Sequence, residues 1–154
     1  MIELKDEIKQ NKPFRTLCEE AHINIVRTSN VLNDSFEQML KPHGITVTQY
    51  NVLRILRGAG PDGLCRNEVS ARLVNRMPDA TRLLDRMEDA GLVTRERSEM
   101  DRRLVHTKLT AKGRKLVDGL DDDVMTQAQT EIGHLTEEQL KTLISLLTLA
   151  RNPS

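Results

Sequence analysis

The stretch from residue 75 to residue 112, NRMPDATRLLDRMEDAGLVTRERSEMDRRLVHTKLTAK, changes its apolar period from helical to alternating and back. Few topologies accommodate that. Leu83, Leu84, Met87 and Ala90 recur at three- and four-residue spacing and line one face of a helix. Pro78 suits the first helical position, where its missing N–H costs nothing. Gly91 marks the C-terminal stop. The opposite face carries Asp79, Arg82, Asp85, Arg86 and Asp89. Leu92-Val93 then opens a strand, Ser98 to Asp101 form a polar turn, and residues 104–109 return as a second strand with Val105 and Leu109 on one side. Thr110 is the expected N-cap of the next helix. A short amphipathic helix with an arginine-bearing outer face, followed by an arginine-tipped hairpin, suits a major groove and the phosphates or minor groove beside it. That is a winged helix-turn-helix.

The flanks are helical. Phe14, Leu17, Cys18, Ala21, Ile25, Leu32, Phe36, Met39 and Leu40 form an apolar stripe over residues 14–41. A helix this long either packs on the chain's own later helices or buries part of its face on a partner. Thr46 and Gln49 have capping-box spacing ahead of a second helix, and 58–63 is a Gly/Pro loop. Leu64-Cys65 reads as a very short strand pairing with the wing. Asn67 is the expected N-cap of a third helix running to Leu73, with Val69 and Leu73 inward. One long helix is expected from Thr110 to Ile132, and a last one from a Thr136/Gln139 capping box to Ala150. The last helix leaves Leu146 and Leu149 outside its main stripe, which calls for a second covering surface and suggests a homodimer. The fold class expected is mostly α with a small β-wing. Residues 1–45 supply an N-terminal dimerisation helix, 46–112 the winged helix-turn-helix, and 113–154 the C-terminal dimerisation helices.

The formal net charge is zero, but it is unevenly distributed. Residues 60–115 hold 13 basic against 9 acidic residues, and residues 116–154 hold 2 against 7. The basic excess coincides with the helix-hairpin pattern, which points to double-stranded DNA. Two cysteines and four scattered histidines match no zinc spacing, so no metal or other cofactor is expected. No nucleophile–base pairing or phosphate loop is legible, which argues against an enzyme. No apolar run reaches membrane-spanning length and the N-terminus lacks a signal-peptide core, so a cytoplasmic protein is expected.

Asp101 to Gly113 resembles the wing signature of the MarR family of bacterial transcriptional regulators: Asp-x-Arg, a strand, Leu-Thr, and a glycine three residues on. Thr81 to Met87 and Gly91-Leu92-Val93-x-Arg95 are similar to that family's recognition helix and its exit. The resemblance implies a homodimer reading a pseudo-palindromic operator. It also implies a regulator, more often a repressor, released by a small aromatic or phenolic ligand or by oxidation. On that basis Arg103 matches the arginine that enters the minor groove and Asp101 the acid that orients it.

Among the other candidates, Arg82 is best placed for a base edge, with Pro78, Asp79 and Thr81 on the same first turns. Asn75, Arg76, Arg86, Arg95, Arg97 and Arg102 are candidate phosphate contacts, against the alternative of surface ion pairs or a solvated hairpin face. His22 and Tyr50 are candidate ligand contacts. Cys18 raises a redox-sensing alternative. The peroxide-sensing branch poises a first-helix cysteine with tyrosines; Cys18 lies about a turn upstream of that place, His22 occupies it, and Tyr50 is the only tyrosine. A winged-helix protein-interaction module without DNA is the remaining alternative.

Overall fold

The computed structural model describes residues 2–74, 79–97 and 104–152. Asn75, Arg76, Pro78, Asp101, Arg102 and Arg103 therefore lie outside the described residues, as does the polar turn at the hairpin tip. The chain divides into two compact units, Met1–Gly44 and Ile45–Ser154.

The first unit holds a single turn, α1 (Leu4–Glu7), and the long α2 (Leu17–Leu40), ended by a 3-10 turn at Lys41–His43. α2 starts three residues later than the apolar stripe suggests, because Thr16 caps it: the Glu19 N–H donates to Thr16 Oγ1 at 3.1 Å. Arg27 ties α2 to α1 through Glu7 at 2.8 Å. Much of the apolar stripe is uncovered: Leu17, Cys18, Ala21 and Ile25 are exposed, as are Val26 and Val31 beside it.

The second unit runs α3 (Val47–Ala59), β1 (Leu64–Cys65), α4 (Arg66–Arg72), α5 (Ala80–Asp89), β2 (Val93–Arg97), β3 (Val105–Leu109), α6 (Ala111–Gly119), α7 (Asp121–Ile132) and α8 (Glu137–Arg151). The strands form an antiparallel sheet in the order β1-β3-β2. Leu64 faces Thr107, and Arg95 also faces Thr107 from the other side. The two-residue β1 thus pairs with the wing as its sequence suggests. The core is aliphatic, with Val52, Leu53, Leu56, Val69, Leu84, Met87, Val93, Val117 and Leu120 all but fully buried. Both expected capping boxes are present, Thr46 with Gln49 and Thr136 with Gln139.

Two local expectations change. The helix expected from Thr110 to Ile132 is two helices, divided at Leu120 after Gly119, where the Leu120 N–H turns to the Val117 carbonyl three residues back at 3.3 Å. Asp121, Asp122 and Asp123 then occupy the first turn of α7, where carboxylates favour a new helix start. α4 begins at Arg66, capped by Cys65 in place of Asn67, because the Glu68 carboxylate reaches back to the Cys65 N–H at 2.8 Å. On β3, Val105, Thr107 and Leu109 share one face by strand alternation; Thr107 is buried and Val105 exposed. No helix among the described residues is long and apolar enough to cross a membrane.

Candidate nucleic-acid interface

The helix that the sequence singles out, α5, buries Ala80, Leu84 and Met87 and leaves Thr81, Arg82, Asp85, Arg86 and Asp89 facing out. Asp79 is its N-cap, one residue before the helix: its carboxylate accepts the Arg82 N–H at 3.0 Å. The same carboxylate pairs with Arg82 Nε at 3.0 Å. Arg82 is nonetheless 80% exposed, and a contact of that kind between exposed groups exchanges easily for a base edge. Among the described residues Arg86 and Arg97 enter no ion pair, and both are exposed.

The C-terminal end of α5 is closed by a Schellman motif. The Leu92 N–H donates to Met87 O at 2.9 Å and the Gly91 N–H to Glu88 O at 2.8 Å. Gly91 sits at φ +68°, a conformation that costs residues with a Cβ but not glycine. Lys112 adds a third cap, its Nζ donating to Ala90 O at 2.8 Å. Thr110 joins the same corner to the wing: its hydroxyl lies 2.7 Å from Gly91 O and accepts the Gly113 N–H at 3.0 Å. Gly113 packs so closely on Leu92 that a Cβ there would overlap the Leu92 carbonyl.

The wing is fastened to α5 through Arg95. Its backbone N–H and Nε donate to the two Glu88 oxygens at 3.1 and 2.9 Å, and its Nη2 contacts Asp85. The Asp85 hydrogen bond, with the charges of Glu88 and Asp85, holds the guanidinium pKa above its ordinary value. Arg95 is a candidate phosphate contact by sequence; here it is partly buried, and its backbone N–H, Nε and Nη2 are engaged within the protein. Further along the hairpin, Lys108 pairs with Glu96 at 2.9 Å, and His106 Nδ1 lies 3.1 Å from Asp62 O.

Arg66, which the sequence did not single out, also belongs here. Its Nη1 donates to Thr81 Oγ1 at 3.2 Å, linking the first turn of α4 to the first turn of α5. Between these elements lies a cavity of about 330 Å³, lined among the described residues by Cys65, Arg66, Thr81, Leu84, Arg95 and Val105.

The other sequence candidates lie on α2 and α3. His22 is exposed on α2 in the first unit, and Cys18 is an exposed free thiol on the first turn of the same helix. Tyr50 is buried on α3 in the second unit, and that burial pushes its phenol pKa up. No group of three or more metal-ligating side chains occurs among the described residues.

The model of the MarR family matches residues 43–104. The HTH-type transcriptional regulator FarR of Neisseria gonorrhoeae is 32% identical over 112 residues, covering 73% of this chain and 75% of the relative. A MarR transcription factor from Planctomyces limnophilus is 35% identical and superimposes with a TM-score of 0.67, over 89% of this chain and 99% of that one. The MepR–DNA complex of S. aureus is 27% identical with a TM-score of 0.75, over 82% of this chain and 93% of MepR.

Proposed function

The chain belongs to the MarR family of DNA-binding transcriptional regulators, which are not enzymes, and from that premise we propose that it is a repressor acting as a homodimer on a pseudo-palindromic operator. The observation that carries this reading is the disposition of α5. Its inner face is buried, its C-terminal end is capped three ways, and Arg95 holds Asp85 and Glu88, while Thr81, Arg82 and Arg86 stay outward. Arg82 then reads a base edge and Arg86 and Arg97 meet phosphates. Asn75, Arg76 and Arg102 extend that set as phosphate contacts by their place in the sequence, with Pro78 and Asp79 beside them, and the family resemblance adds Arg103, oriented by Asp101. MepR, at 27% identity, is known as a DNA complex.

Dimerisation is supported by the apolar surface left open on the end helices. Ile144, Leu146 and Leu149 of α8 and Met125 of α7 are each well over half exposed, and α2 adds Leu17, Ile25 and Val31. A second copy presenting the same leucines covers them by two-fold symmetry. Residues 1–45 and 113–154 are the dimerisation segments in this reading, and 46–112 the part that reads DNA.

For release by a small aromatic or phenolic ligand, the cavity beside α5 is a seat of suitable size. The cavity beside α5 offers two guanidinium groups, Arg66 and Arg95, and an apolar wall of Leu84 and Val105. A phenolate or carboxylate there would compete with Thr81 and Asp85 for those guanidinium groups and so disturb the helix start. The test is binding to a duplex from the protein's own upstream DNA across a salt series, with and without salicylate. Steep salt dependence, with log affinity falling by about 0.9 per phosphate contact, and relief by salicylate are expected. Salt-indifferent binding to that duplex and to genomic fragments alike would remove DNA reading and favour a protein-interaction module. The exposed Cys18 thiol favours one second reading, oxidative release; equal release of native protein and Cys18→Ser by peroxide would remove it.

A further inference from the structure

We infer that Arg57 is a positioning residue for DNA binding, setting the angle at which the winged helix is carried on α7 and, through it, the half-site spacing that the dimer accepts. The inference rests on the paired half-site reading above.

The geometry centres on the break between α6 and α7. A single residue, Leu120, separates the two helices, and Gly119 precedes it. A helix junction with glycine bends at little cost. Its apolar side is fixed, since Val117 and Leu120 are fully buried. Its polar side is spanned by Arg57. Arg57, in the last turn of α3, donates through Nη1 and Nη2 to the two oxygens of Asp121 at 2.9 Å each. The same Nη1 reaches Asp118 at 3.0 Å and the Val117 carbonyl at 3.4 Å. Asp118 belongs to α6 and Asp121 is the first residue of α7, so one guanidinium joins the first helix of the reading head to both sides of the break.

Chemistry makes this a directional device. A bidentate guanidinium–carboxylate pair fixes orientation as well as distance, which an ammonium group cannot do. Half-exposed carboxylates contribute little to stability in such pairs. The consequence of the fork is therefore expected in geometry. Two recognition helices must lie about one DNA turn apart, roughly 34 Å, to engage both half-sites. Without the fork, each head samples a wider range of angles on its α7. The preferred separation becomes less populated and neighbouring separations more so.

The experiment uses the full chain and a palindromic duplex selected by the wild-type protein from a random-sequence pool. The spacer between half-sites is then shortened by one base pair, or lengthened by one or two. Wild type, Arg57→Ala, Arg57→Lys and Asp121→Ala are compared, with folding checked by circular dichroism. Wild type is expected to lose about tenfold or more off its preferred spacing. Arg57→Ala is expected to lose about three- to tenfold at that spacing and to flatten the off-spacing penalty to about threefold or less. Arg57→Lys, which keeps the charge but not the fork, should flatten it too, and so should Asp121→Ala if Arg57→Ala fails to fold. A uniform loss across all spacers, or an unchanged spacing profile, overturns the inference alone. A wild type indifferent to spacing overturns the paired half-site reading, and this inference with it.

Discussion

Replacing Gly113 with alanine should unlock the corner that joins the recognition helix to the wing, and a second glycine in the same chain supplies the control. At Gly113 an added Cβ would overlap the Leu92 carbonyl oxygen. That oxygen accepts the Thr110 N–H at 3.2 Å and lies 3.1 Å from the Thr110 hydroxyl. Overpacking a filled site costs about 1–3 kcal/mol. Each hydrogen bond displaced from the carbonyl adds about 0.5–1.5 kcal/mol. Alanine's better helical propensity offsets about 0.5–1 kcal/mol of this. With one bond displaced the net is a loss of about 0.5–4 kcal/mol, a shift in Tm of roughly 2–4 °C per kcal/mol for a chain of this size. At Gly58, near the end of α3, a Cβ meets nothing within 4 Å, so only the propensity effect remains. Gly58→Ala should stabilise by up to about 1 kcal/mol. Urea unfolding at one fixed protomer concentration measures both midpoints. The reasoning is refuted if Gly113→Ala matches or exceeds the wild-type midpoint, or if the two variants shift in the same direction.

Arg82→Ala should weaken operator binding by about 1–3 kcal/mol, tenfold or more, and relax the preference at one base pair, measurable by titrating duplexes mutated position by position. Arg95→Ala should also weaken binding but leave the slope of log affinity against log salt unchanged, because its Nε and Nη2 hold Glu88 and Asp85 and its charge is matched by theirs; a slope reduced by about one would make it a phosphate contact instead. Asp79→Ala should cost about 1 kcal/mol of stability in urea through loss of the N-cap. The Arg57 hydrogen bond holds the Asp121 pKa below its ordinary value, so its stabilisation is present above the unfolded carboxylate pKa of about 3.9 and is lost as pH falls through the folded value. Asp121→Asn should therefore differ from wild type in urea midpoint at pH 7 and converge with it as the solution is acidified towards about pH 3.

Elements whose signals are local were legible in the sequence. The caps at Thr46, Thr110 and Thr136, the stop at Gly91 and the buried face of Leu84 and Met87 each follow from spacing that one turn of helix decides. What failed were features decided by distant partners. The break at Leu120 is invisible in a periodic apolar pattern, because α6 and α7 share one stripe across it. Arg57, which spans the break, lies 61 and 64 residues from its acids. Arg95 looked like any wing arginine, since nothing in VTRER states that Glu88, seven residues earlier, lies within reach. The sign of a surface charge was legible; its partner was not. Arg66 could have been found from the capping box of Cys65 and Glu68, which places it on the first helical residue beside the reading helix.

The distribution of acids explains how a chain of zero net charge can carry a DNA-reading face. Of the carboxylates on α5, Asp79 is turned back onto the helix N-terminus and Arg82, and Asp85 and Glu88 are held by Arg95. Glu96 of the wing is matched by Lys108. The remaining acid of α5, Asp89, sits in its last residue, away from the first turns that carry Thr81 and Arg82. The acids of the C-terminal segment lie on other helices, and two of them, Asp118 and Asp121, are engaged by Arg57. Charge that would repel phosphate is thus paired locally, while Arg86 and Arg97 are left exposed. Since exposed charges farther apart than a Debye length, about 8 Å at physiological salt, barely interact, the field at the outer face of α5 is set by these near pairings rather than by the net charge of the chain.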